Sequence, residues 1–130
     1  MKKLLLILAV LSLSACSTLE SLKEQIPSRW DANQSLIVTD MQQMTRHIDC
    51  TADLKSQLHS LFMKVEWYDI YASTKGTYDM AKLDQVMLTT IKEFQERTDK
   101  GPVSPMYCDM KKKVLVQQAD IIAKTVQGRF

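Results

Sequence analysis

Glycine and proline are scarce in this chain, three of each in 130 residues, and no Asn-Gly or Asp-Gly pair occurs. Tight β-hairpins lean on those residues because their central positions adopt positive φ. No segment alternates cleanly between apolar and polar residues over six positions, so the β signal is missing as well. The only histidines are His47 and His59, and zinc takes four ligands. Gly-x-Ser-x-Gly, a phosphate loop and His-Glu-x-x-His are all absent, and with them the commonest catalytic signatures. The sequence therefore predicts neither an enzyme nor a cofactor.

What is present begins at the N-terminus. Met1-Lys2-Lys3 is a short basic start, Leu4 to Leu13 is almost wholly apolar, and Ser14-Ala15-Cys16 supplies small residues before the chain turns polar at Ser17-Thr18. These are the parts of a secretory signal peptide. Ten residues rise about 15 Å as a helix, roughly half of a hydrocarbon layer, so the run is too short to span. No later stretch reaches the eighteen or so apolar residues of a span.

Leu13-Ser14-Ala15-Cys16 resembles the lipobox of bacterial lipoprotein precursors at all four positions. The resemblance implies cleavage before Cys16 and a diacylglycerol on its thiol. Ser17, rather than Asp, follows the cysteine, which resembles the enteric pattern for delivery to the outer membrane. Several acyl chains together hold a domain on a bilayer where one would bind only marginally. The expected layout is a removed signal peptide over 1–15, a lipidated tether over 16–30 on the periplasmic face of the outer membrane, and a folded domain over 31–130.

The net charge of +2 belongs entirely to Lys2 and Lys3, so the mature chain is neutral and offers no electrostatic case for nucleic acid. With Cys16 acylated, Cys50 and Cys108 remain, and an even pair in an exported chain reads as a disulfide. Closing so long a loop is worth roughly 4 kcal/mol in the chain-entropy model.

Helical spacing recurs through the rest. Ser17-Thr18-Leu19-Glu20 has the form of a capping box, with Leu19, Leu22 and Ile26 ahead of Pro27, so a lead helix or a plain tether precedes the domain. Ile37, Met41, Met44 and Ile48 mark one helix over about Asp31 to Asp49. Leu54, Leu58, Leu61, Phe62, Val65 and Tyr68 or Tyr71 mark a second, capped by Thr51 or Asp53 and stopped by Ser73-Thr74-Lys75-Gly76. Met80, Leu83, Met87, Ile91 and Phe94 mark a third, from Tyr78 to Thr98, ended by Lys100-Gly101-Pro102. Ser104-Pro105 starts a fourth that runs to about Gln127, with Val114, Leu115, Ile121, Ile122 and Val126 apolar. Short loops favour antiparallel neighbours, hence an all-α, up-down-up-down four-helix bundle. In that topology the second and fourth helices start at the same end, which brings Cys50 and Cys108 together.

Chemistry is thin. His47 and Cys50 lie three apart but lack further ligands, so no metal is expected. Glu66 and Asp69 flank Trp67 and Tyr68, yet they share one helix with Lys64, and a solvated face is the simpler reading than a glycosidase pair. Lys111-Lys112-Lys113 could meet anionic headgroups, but Gln117, Gln118 and Asp120 follow, as on a solvated face. Trp67, Tyr68, Tyr71, Tyr78 and seven mature methionines suit either plain core or an adaptable groove for an amphipathic helix.

Taken together, the lipobox, about 115 mature residues, four helices and the Cys50 and Cys108 landmarks resemble the PulS/OutS-type pilotins of type II secretion over Asp31 to Gly128. Those are small helical lipoproteins that bind the C-terminal segment of a secretin subunit and carry it to the outer membrane. The resemblance implies a groove, lined by residues such as Met41, Leu61, Val65, Tyr68 and Met87, that receives an amphipathic helix of an envelope protein. Two other classes stay open: an envelope-stabilising accessory lipoprotein, and a periplasmic inhibitor acting through the loop from Thr98 to Pro105. Cys16→Ala is expected to release the domain from membranes in cell fractionation, and retention of that variant in the membrane fraction would remove the anchor.

Overall fold

The computed structural model describes residues 31–128. The expected signal peptide, the expected lipidation at Cys16 and the expected tether lie outside the described residues. Four helices follow in order, α1 (Ala32–Arg46), α2 (Leu54–Thr74), α3 (Tyr78–Asp99) and α4 (Pro105–Gln127). Among the described residues there is no strand, and no helix is long and apolar enough to cross a membrane.

Local chemistry sets the boundaries. Asp31 caps α1 by accepting the Asn33 N–H at 2.9 Å. The helix stops short of the expected Asp49, because Asp49 turns its carboxylate onto the Thr51 N–H (2.8 Å) and hydroxyl (2.6 Å). A side chain that bonds its own backbone competes with helix continuation. Ile48 falls just past the helix end but is still buried. Of the two caps expected for α2, Asp53 is the one used, accepting the Ser56 N–H at 3.2 Å.

At the end of α2, Gly76 adopts φ 74°. The Thr77 N–H returns to the Ala72 carbonyl at 2.8 Å and the Gly76 N–H to Ser73 at 3.1 Å. This is a Schellman closure, which favours glycine at the left-handed position. Ser104 caps α4 through the Tyr107 N–H at 3.2 Å, with Pro105 in the first turn.

The helices form a ring in which α1 packs on α2 and α4, and α3 packs on α2 and α4. Neighbours are antiparallel. Gln42 and Arg46 of α1 reach Asp120 of α4 while Lys112, earlier in α4, donates to the carbonyl of Ile48. Lys64 of α2 meets Asp40 of α1, and Tyr71 meets Asp31. Gln85 of α3 bonds Asp69 of α2, and Lys111 of α4 pairs with Glu93 of α3. The up-down-up-down bundle read from the sequence is the observed architecture.

Each helix buries positions spaced alternately four and three residues apart. On α2 they are Leu54, Leu58, Leu61, Val65, Tyr68 and Ala72, and on α3 Met80, Asp84, Met87, Ile91, Phe94 and Thr98. Such spacing averages 3.5 residues and suits helices crossing at a shallow angle. Tyr68, not Tyr71, points inward, and Ile121 faces solvent while Ile122 is buried.

Cys50, in the corner between α1 and α2, is joined to Cys108, in the first turn of α4, with Cα atoms 6.0 Å apart and a sequence separation of 58. The bond ties the start of α4 to that corner at the end where α2 also begins. Cys50→Ser is expected to cost roughly 2–5 kcal/mol, read as a clear drop in the melting temperature followed by circular dichroism. An unchanged melting temperature would deny the bond a structural role.

Candidate functional site

The five residues expected to line a groove are not at a surface. Met41, Leu61, Val65, Tyr68 and Met87 are all buried in the closed bundle, packed with Phe94, Leu115 and Ile122. The 4-3 alternation that made them visible as one face is the signature of a seam turned toward the other helices. Apolar spacing alone cannot separate a core stripe from an open groove lined by the same residue types.

An apolar stripe does face solvent elsewhere on α2. Met63, Trp67 and Ile70 sit at i, i+4 and i+7 and leave half or more of their surface in water. The Trp67 ring stacks on Tyr71, with centroids 5.5 Å apart and planes 13° from parallel. Leu36, also exposed, lies on α1 between the Asp31–Tyr71 and Asp40–Lys64 contacts and so borders the same face. The charged fringe is Lys64 with Asp40 at 3.2 Å on one side and Lys75 over the Tyr71 ring at 5.7 Å. Large apolar groups at helical spacing with a charged rim are what the apolar face of another helix would meet. On α4, across the ring, Met106 and Met110 are a smaller exposed pair one turn apart.

The other sequence features are placed as follows. The His47 ring nitrogen lies 2.8 Å from the Gln43 carbonyl of its own helix, and the Cys50 sulfur is held in the disulfide. Among the described residues no three His, Cys, Asp or Glu side chains gather as a metal would need. Of the three consecutive lysines, Lys111 is bound to Glu93 at 2.9 Å and Lys112 to the Ile48 carbonyl at 2.7 Å. Only Lys113 is fully exposed, so the run is not a free cationic patch. The loop from Thr98 to Pro105 borders an open cleft of about 490 Å³ with Cys50, Asp53 and Lys55, bridged by the Lys55–Asp99 pair at 3.0 Å.

One residue carries chemistry that the sequence reading passed over. Asp84 occupies the inward seam of α3 between Met80 and Met87 and is 0% exposed. Neither of its oxygens has a hydrogen-bond partner among the described residues. Burial, reinforced by the like charge of Asp69 on α2, pushes its carboxyl up to about 8. Asp69 accepts a bond from Gln85 at 2.9 Å, while its other oxygen is buried and unpaired. The signal was available in the sequence as a single acid breaking the stripe Met80, Met87, Ile91, Phe94.

The core and surface stripes separate in denaturation. Leu61→Ala is expected to cost roughly 2–5 kcal/mol. Trp67→Ala is expected to lose only its stacking, about 0.5–1.5 kcal/mol. Equal losses in a urea titration would show that Trp67 belongs to the core.

No family model, no curated protein and no solved structure matches this chain.

Proposed function

We propose that this protein is an outer-membrane-anchored lipoprotein that acts by binding an envelope protein, and specifically that it carries a secretin subunit to the outer membrane as a pilotin does. The lipobox at Cys16 supplies the address, held on the periplasmic face by acyl chains. The tether over 16–30 joins the anchor to the domain at Asp31, where α1 begins. The observation that carries the binding reading is the unpartnered stripe of Leu36, Met63, Trp67 and Ile70 on the α1–α2 face. It takes the place of the groove expected at Met41, Leu61, Val65, Tyr68 and Met87, which the closed core occupies.

The chemistry of the partner follows from that surface. An amphipathic helix from the C-terminal segment of the secretin would lay its apolar face along α2, burying Trp67 as the central anchor. Lys64, Asp40 and Lys75 at the edges would set its register. The closed core also favours a second reading, an accessory lipoprotein that stabilises the envelope through the same face without a guest helix.

Crosslinking the intact lipoprotein in its native envelope, followed by mass spectrometry, distinguishes the two. Secretin peptides joined to residues 63–70, and lost in Trp67→Glu while the melting temperature holds, are the expected result. Recovery of this chain alone, or of abundant envelope proteins only, would overturn the pilotin reading and leave the accessory one.

A further inference from the structure

Asp84 is anomalous in its setting. Most other polar residues of the seams make at least one bond, although Ser35 Oγ and Gln118 Oε1 are also buried without a partner among the described residues. Thr45, Thr90 and Thr98 donate to the carbonyls of Gln42, Val86 and Gln95, and Gln34 accepts the Tyr68 hydroxyl. Asp84 has no such outlet. Across the α2–α3 seam Gln85, the next residue of α3, donates to Asp69 of α2 at 2.9 Å, while the other Asp69 oxygen and both oxygens of Asp84 are buried without a partner among the described residues. Of the charged groups that bear on it among the described residues, α2 supplies Asp69, and α1 and α4 supply none. Arg46 of α1 and Asp120 of α4 are engaged with each other at 2.6 Å, and Lys82 of its own helix is exposed.

We infer that Asp84 is a proton-operated latch on the α2–α3 seam: protonated, it lets the two helices close, and ionised beside Asp69 it forces them apart. A buried, unpaired carboxylate is far costlier than a buried carboxylic acid. Losing the proton leaves three unpaired carboxylate oxygens across one helix pair, on Asp69 and Asp84. Gln85, the next residue of α3, is exposed, and its bond to Asp69 joins α3 to α2, so parting the two helices breaks that bond. Leu61, Val65 and Tyr68 of α2 and Met87 of α3 belong to the buried core that these two helices share. The inference stands apart from the binding function proposed above, and its test reads the fold alone.

The direction with pH follows from linkage. The Asp84 carboxyl titrates near 8 when the seam is closed and near its ordinary 3.8 when hydrated. The closed state therefore binds the proton more tightly. Its advantage is full below about pH 4, falls as pH rises, and is spent above about pH 8. Over the intervening range the opening equilibrium shifts about tenfold per pH unit.

Hydrogen exchange by mass spectrometry on the mature full-length lipoprotein in detergent micelles tests this. Asp84→Asn, measured at the same pH values, cancels the intrinsic pH dependence of exchange. The expected ratio of wild-type to variant exchange in residues 65–72 and 80–88 climbs about tenfold per unit from pH 5 to 7, then levels above about pH 8. In residues 108–115, beside the disulfide, the ratio stays flat. A ratio independent of pH in the α2–α3 segments would overturn the latch. Should Asp84→Asn fail to fold, Asp69→Asn removes only the like charge, and the levelling point must then move to lower pH. A levelling point that does not move would overturn the role of the Asp69–Asp84 pair.

Discussion

The structure depends on one packing constraint, the alternation of four and three residues along every helix seam. Leu54, Leu58, Leu61, Val65, Tyr68 and Ala72 satisfy it on α2, and Leu115, Ala119, Ile122 and Val126 continue it on α4. Helices that share a 3.5-residue stripe lie nearly along one another and mesh side chains in successive layers. From that follow the ring arrangement, the short connections and the ends at which those connections fall. The disulfide fits the same constraint, because this topology sets the Cys50 corner beside the first turn of α4.

That constraint also gives polar residues in the seam their meaning. A threonine there costs little, since its hydroxyl turns back to the carbonyl three or four residues earlier, as in Thr45, Thr90 and Thr98. Gln34 and Tyr68 meet each other across α1 and α2 at 3.3 Å. Aspartate has neither solution. Its carboxylate only accepts, and a helix interior offers no free backbone N–H to donate. Asp84 is held as a neutral acid by the apolar groups around it, and Asp69 makes ionisation harder still.

Most of the fold was legible in the sequence because it is written in local terms. The caps at Asp53 and Ser104 and the stops at Gly76 and Gly101 mark the helix ends, and cysteine parity names the disulfide. The end of α1 was legible only in part, since Asp49 can extend a helix or fold back on Thr51, and the tertiary setting decides. The site was less legible. Met41, Leu61 and Met87 have the residue types of a groove and the spacing of a core, and periodicity cannot choose between them. Trp67 was visible as a residue but not as part of a surface with Ile70, because exposure depends on which flank of α2 the other helices leave open.

The distribution of ties makes the two ends of the bundle unequal. At one end the Cys50–Cys108 bond, the Lys55–Asp99 pair and the Lys112 bond to the Ile48 carbonyl hold three of the helix termini and the loop between α1 and α2. At the other end no disulfide joins the helices among the described residues, and the links include the hydrogen bonds of Tyr71 to Asp31, Tyr68 to Gln34 and Gln85 to Asp69, with both Asp84 oxygens unpartnered. A covalent clamp does not titrate, whereas the Gln85–Asp69 bond between α2 and α3 is lost when those helices part. Any separation of the helices therefore starts at the Gly76 end and stops short of the disulfide, the way a hinged pair opens. The stripe of Met63, Trp67 and Ile70 runs along the outer flank of the helix that would swing.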